Sequence, residues 1–199
     1  MIPAAPLSPK PRFPRADALA AAKDLKARLA SHCVRLIFAG SLRRRKNEVG
    51  DVELVYIPKF EACPVGLTVN GKSFFDTEQQ NQVDCMLDRL IENGILRARP
   101  NIRGSVTWGP KNKLAVHVPT GIPVDLFATT QDAWFNYLVC RTGGAENNVR
   151  IAAAARARGL KWNPYGVGFT ASDGSQIQVT SEQQVFELAG LPYLEPWQR

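Results

Sequence analysis

The chain has 199 residues, 45% hydrophobic and 22% charged, enough apolar material for a packed core and too much for a disordered chain. Its 25 Lys and Arg against 18 Asp and Glu leave a net charge of +7, an excess that attracts phosphate-bearing partners. No apolar run approaches the roughly 18 residues that span a bilayer, and the proline-rich start lacks the apolar centre of a signal peptide.

Residues 1–15 carry five prolines and three basic residues and are expected to form a flexible tail. The Ala/Leu/Lys/Arg-rich segment 16–32 reads as a helix, with Leu25 and Leu29 one turn apart. The apolar run 34–39 reads as a buried strand, followed by Gly40-Ser41 and a basic cluster, and 51–57 as a second strand. Residues 63–75 contain Asn70-Gly71, a hairpin turn signal. Asp76 stands as an N-cap with Gln79 at the capping-box position, ahead of the stripe Val83, Leu87, Leu90 and Ile91, which Gly94 ends. Strands are expected at 95–98, 105–108, 114–118 and 124–127. In the third, Leu114, Val116 and Val118 alternate with Lys113, Ala115 and His117. After Ala128 the pattern becomes an aromatic-rich helix over 131–141, a Thr142-Gly143-Gly144 break and an Ala/Arg helix over 145–158. Short strands near 160–162, 166–170 and 176–179 precede a last helix, for which Ser181 and Gln184 repeat the capping signature. The change places a domain boundary near 129.

The four cysteines, Cys33, Cys63, Cys85 and Cys140, have no zinc-ligand spacing with His32 or His117. Cys33 and Cys85 read as buried thiols, so a reducing, cytoplasmic location is expected. The chemistry-bearing residues lie elsewhere. On a strand, Asp51 and Glu53 share one face, about 6–7 Å apart along the chain, and repel each other unless a cation lies between them. Oxygen ligands select a hard ion such as Mg²⁺. Ten residues earlier, the Gly40-Ser41 turn offers backbone N–H groups and a hydroxyl to a phosphate, with Arg43 and Arg44 beside it. Asp125, flanked by Val124 and Leu126, is an acid in an apolar strand and supplies a third carboxylate. Three carboxylates suit a two-metal site for phosphoryl transfer.

The run Gly40-Ser41-Leu42-Arg43-Arg44 with Gly50-Asp51-Val52-Glu53 resembles the nucleotidyltransferase signature of the polymerase-beta superfamily. Thr142-Gly143-Gly144, Asn148 and the segments 155–163 and 181–193 resemble the thumb of family X DNA polymerases. The resemblance spans roughly 16–199. It implies an α+β fold, a nucleotidyltransferase palm over 16–129 and a small thumb over 130–199. It implies a DNA polymerase that adds deoxynucleotides to a primer 3′-hydroxyl with two Mg²⁺ or Mn²⁺ ions and releases pyrophosphate, in gap-filling repair. Its partners would be primed or gapped DNA and a dNTP, with no membrane, and the chain would be a monomer. The plan is similar to that of minimal viral members.

Carried over by position, the resemblance gives Asp51, Glu53 and Asp125 as metal ligands and catalytic residues. Gly40, Ser41, Arg44, Gly143 and Asn148 become nucleotide contacts, and Lys111, Lys113, Arg150 and Lys161 DNA contacts. Trp134, Phe135, Tyr137 and Leu138 are read as thumb core, and Trp162 and Tyr165 as candidates to stack on DNA. Three departures stand out. The family's second acid is usually Asp, and here it is Glu53. The aromatic pair that screens the sugar's 2′ position is Cys140-Arg141. An Arg–Glu latch of the closed thumb maps to Ala152 and Pro164, so low fidelity is expected. The alternative is a nucleotidyltransferase acting on RNA or protein, or using ribonucleotides.

Overall fold

The structure is a computed structural model and describes residues 11–69 and 72–199. Strand β1 (Phe13–Pro14) leads into helix α1 (Arg15–Leu29), whose buried Ala18, Ala21, Ala22, Leu25 and Leu29 recur at helical spacing. The helix ends in a 3-10 turn, Ala30–His32, rather than running on to His32. Residues 13–15, expected in the tail, are therefore part of the fold. Phe13 and Pro14 pair with β3 (Glu48–Val49), and Phe13 packs on the core. Between them run β2 (Cys33–Phe38) and the short helix α2 (Gly40–Arg43).

After β4 (Val52–Pro58), the strands β5 (Phe60–Val69) and β6 (Lys72–Asn81) form a long antiparallel arm. The Asn70-Gly71 turn expected there lies outside the described residues. Because β6 runs to Asn81, the expected N-cap at Asp76 is wrong: that residue is in the strand. Helix α3 (Gln82–Glu92) is capped by Asn81, whose side-chain oxygen accepts from the N–H groups of Val83 and Asp84. Then come β7 (Leu96–Ala98), β8 (Asn112–His117) and β9 (Ile122–Ala128). The strand expected at 105–108 is not formed; Val106 and Trp108 make only isolated bridges.

The main sheet has the order β2-β4-β9-β8-β7, antiparallel except for the central parallel pair β4·β9. Pro123 lacks an N–H but sits before the β4 pairing begins at Val124, so no ladder bond is lost there. One face of the sheet packs Val52, Leu54, Tyr56, Val124 and Leu126 against α1 and α3. Each such buried side chain contributes about 1.5–3 kcal/mol.

The C-terminal third consists of α4 (Trp134–Thr142), α5 (Ala145–Ala157), strands β10 (Lys161–Trp162), β11 (Gly168–Thr170) and β12 (Gln176–Gln178), and α6 (Glu182–Leu188). Val139, Ile151, Phe169, Val185 and Phe186 form its core. Ser181 caps α6 by accepting from the Gln184 N–H, while the Gln184 side chain accepts from Thr180 instead of closing the box. Trp134, Tyr137 and Leu138 do not belong to that core. They pack on Val55, Ile57 and Phe127, sealing the upper half of the second face of the main sheet. Trp162 is buried and donates to Asn136 Oδ1 at 2.6 Å, which removes it from the stacking candidates. No helix among the described residues is long and apolar enough to cross a membrane.

Candidate active site

The lower half of that second face is left open, and the acids stand there. Alternation along β4 sends Val52, Leu54 and Tyr56 to the helices and Glu53 the other way, with Asp51 two residues before it. Glu53 pairs in register with Asp125 across the parallel β4·β9 ladder, so both carboxylates project from adjacent strands on one face. Next to them β2 ends in the turn. The N–H of Ala39 donates to the Glu53 carbonyl at 2.8 Å, and Gly40 then takes φ +55°. A Cβ on Gly40 would lie 1.6 Å from Glu53 Oε2, so the carboxylate rests directly on the bare glycine.

The site's electrostatics are unresolved by its own residues. Burial, then the charges of Asp51 and Asp125, push Glu53 up to about 8, with Arg141 and Arg44 opposing. Burial also raises Asp125, although Arg99 donates to its Oδ1. Burial pulls the Arg44 guanidinium down, and Glu53 and Asp51 oppose it. Among the described residues no three His, Cys, Asp or Glu side chains close around a common point. The reason is visible: Asp125 is held by Arg99, and Glu53 lies against Gly40. The donor set is still that of a hard divalent cation, three carboxylates whose mutual repulsion a cation would relieve.

Ser41, Arg44, Asp51, Glu53, Gly143 and Asn148 line one cavity of about 420 Å³, together with Arg12, Cys140 and Arg141. Gly143 (φ +55°) ends α4, and Asn148 Nδ2 donates to the Cys140 carbonyl at 2.9 Å, so both edges of the cavity are tied to α4. Gly40 and Asp125 adjoin the cavity without lining it. Arg12 was missed in the sequence because it was counted with the tail. The sequence held no local signal for it, since the Phe13–Pro14 strand forms by pairing with the distant β3.

Arg141 lines the cavity where the resemblance places the sugar screen, with Cys140 beside it. Its guanidinium lies 3.6 Å from the Phe127 ring centroid, and its charge acts on both Glu53 and Asp125. Tyr165, largely exposed, packs edge-on against Tyr137 and also faces Arg141.

The turn helix α2 is fastened to the C-terminal third. Arg43 donates to Thr142 Oγ1 at 2.5 Å and forks onto Glu182 at 2.5 and 3.0 Å, and Arg199 donates to the same carboxylate at 2.8 Å. Burial would raise Glu182, but these two cations hold it below the usual carboxylate range. Arg44 donates to the Thr142 carbonyl. Ala152 and Pro164 bear no charge, and the turn and the third are joined instead through Arg43 and Glu182.

Of the four expected DNA contacts, Lys113 is corrected. It lies on the helix-covered face, 3% exposed, with Nζ on the Gly109 carbonyl at 2.9 Å and on Asp84 at 2.8 Å. Lys111 is exposed on a separate apolar cavity of about 840 Å³ that Phe60 and Tyr165 also line. Arg150 and Lys161 are exposed. Cys33 is buried as expected, but Cys85 is only partly so.

Residues 137–199 match the family described as DNA polymerase beta thumb. The chain is 24% identical over 188 residues to the DNA polymerase/3'-5' exonuclease PolX of Bacillus subtilis (strain 168), covering 93% of this chain but 28% of that protein. It therefore spans less than a third of that relative's length. Two solved structures of Leishmania infantum polymerase beta, a ternary P/T complex and a ternary gap complex, each superpose with a TM-score of 0.68 at 18% identity over 95% of this chain. The superposed part is 77% and 71% of those chains, respectively. The fold is that of polymerase beta.

Proposed function

We propose that this chain, family X polymerase-like in its fold and in its matched thumb segment, is a DNA polymerase that transfers deoxynucleotides to a primer 3′-hydroxyl. The observation that carries the reading is the Glu53–Asp125 register on adjacent strands, with Asp51 beside it and the Ser41–Arg44 turn on the same cavity. The PolX relative and the polymerase beta structures described as P/T and gap complexes support it. Asp51, Glu53 and Asp125 would hold two Mg²⁺ or Mn²⁺ ions. Such ions, when bound, activate the attacking hydroxyl and stabilise the charge of a triphosphate and its pyrophosphate leaving group.

The chain's own residues bind and orient. Ser41 and the α2 backbone offer donors to the triphosphate, Arg44 and Arg12 add charge, and Gly143 and Asn148 meet the sugar and base. Arg43, through Glu182, holds the turn at a fixed distance from the third that carries Gly143. Arg99 and Arg141 neutralise part of the acidic cluster. Arg150, Lys161 and Lys111 contact the DNA backbone, so affinity falls with salt. Gap filling and low fidelity follow in the same reading, the latter from the missing pair at Ala152 and Pro164. The chain acts as a monomer inside a reducing cell.

A second reading is favoured by one observation. Arg141, where the family screens the 2′ position with an aromatic ring, is a cation on the cavity wall. That leaves ribonucleotides, or an RNA or protein acceptor, open to the same transfer chemistry. A labelled-nucleotide assay with DNA, RNA and protein acceptors, each with dNTP and NTP, separates the two. Extension of DNA by dNTP alone supports the first, labelling of RNA or protein alone supports the second, and no transfer to any acceptor rejects both.

A further inference from the structure

The turn that carries Ser41 and Arg44 contains a residue in an unfavourable backbone conformation. Helix α2 ends in two nested hydrogen bonds. The Arg45 N–H donates to the Leu42 carbonyl at 3.2 Å, and the Lys46 N–H donates to the Ser41 carbonyl at 3.1 Å. Such a closure needs a left-handed residue, a place glycine ordinarily fills because it has no Cβ to clash. Here Arg45 fills it at φ +59°, the one non-glycine residue with positive φ among the described residues. Its conformation fixes the Ser41 carbonyl through Lys46, and Arg44, the residue before it, lines the nucleotide cavity with Ser41.

The side chain presented by this strained backbone has a defined seat. The Arg45 guanidinium lies 4.2 Å from the centroid of the Trp197 ring. Trp197 belongs to a 3-10 turn, Pro196–Gln198, which is closed by a reciprocal box: the side chains of Glu195 and Gln198 each bond the other's backbone N–H. The next residue, Arg199, donates to the Leu194 carbonyl and to Glu182, the acid on which Arg43 forks. Arg45 and Trp197 are both exposed. A cation stacked on a ring in solvent contributes no more than a left-handed backbone costs a residue with a Cβ. The pair therefore adds no net stability. What it adds is a fixed distance between the α2 turn and the 3-10 turn.

We propose that Arg45 is a positioning residue for the nucleotide. Stacked on Trp197, it holds the Ser41 and Arg44 donors at the spacing a triphosphate needs. This is a second tie beside Arg43–Glu182, and one that a glycine at this position could not make. Neither Arg45 nor Trp197 lines the nucleotide cavity, so both act through the turn. The inference rests on the transfer reading above and extends it to residues outside the site.

Titration calorimetry of the full chain with a dNTP in Ca²⁺, without primer, tests the pair apart from turnover. Arg45→Gly and Trp197→Ala should each weaken binding about fivefold, and the double variant no further, because both remove the same contact. Trp197→Phe keeps a ring and should bind within about twofold of the wild type. Arg45→Gly should melt no lower than the wild type, since glycine relieves the left-handed strain even as affinity falls. A merely structural residue would lose both together. In primer extension the KM for dNTP should rise with kcat retained. The proposal is overturned if Arg45→Gly binds dNTP as the wild type does, if the two losses multiply in the double variant, or if Trp197→Phe is as weak as Trp197→Ala. Those three results leave the transfer reading standing, whereas a wild type that binds no dNTP would overturn both.

Discussion

The two faces of the main sheet solve the problem of buried charge in opposite ways. On the helix-covered face the two basic side chains of β8 each meet a carboxylate from a helix, although the Tyr56 hydroxyl has no partner among the described residues. Lys113 meets Asp84 of α3, and His117 meets Asp24 of α1 at 3.2 Å and Thr120 at 2.8 Å. On the open face, Asp51, Glu53 and Asp125 stand together, and Glu53 is driven up to about 8. The same alternation of β4 and β9 builds both faces. The charges of the covered face are therefore matched within the fold, whereas under the proposed function a cation and a substrate match those of the open face.

The contrast can be broken most severely where the open face touches the backbone. Gly40→Ala must place a methyl group on Glu53 at a positive φ. A destabilisation of about 3 kcal/mol is expected, read by denaturant unfolding, together with loss of activity. On the covered face, Lys113→Ala leaves Asp84 without its cation. Asp84 is one-third exposed, so the expected loss is about 2 kcal/mol, with DNA affinity unchanged at fixed salt. A fall in DNA affinity instead would restore Lys113 as a contact.

Glu53→Gln sharpens the comparison through pH. The fold favours the neutral form of Glu53, whose ordinary value is 4.5. Its contribution to metal-free stability is thus whole below pH 4.5 and lost as pH rises toward 8. The variant, which cannot ionise, should gain on the wild type over that window, reaching about 2 kcal/mol at pH 8 in thermal melts with chelator. A difference that does not change with pH would contradict the crowded-acid account. The smallest effect is at the rim: Lys161→Ala should weaken DNA binding by under about 1 kcal/mol and lower the salt slope by about one.

Much of this was legible in the sequence because it is local. Gly40-Ser41 before an Asp-x-Glu strand fixes the turn and the acids, and Ser181 announces α6. What was not legible depends on distant partners. The alternation of β8 is plain, but Lys113, Ala115 and His117 face the helices because Asp84 and Asp24 await them there, while Val118 is 46% exposed. The start of α3 was misplaced because Asp76 is a good cap in isolation, yet β6 continues to Asn81 through pairing with β5. Arg12 entered the cavity only through the β1·β3 pair.

The account stands on the open face being a cation-dependent transfer site. Primer extension with Mg²⁺ or Mn²⁺ and dNTPs, run on the wild type and on Asp51→Ala with melting temperatures from the same preparations, tests this most directly. The account predicts metal-dependent extension that falls about a thousandfold or more in Asp51→Ala with stability retained. Extension that persists in folded Asp51→Ala, or proceeds in chelator, would contradict it.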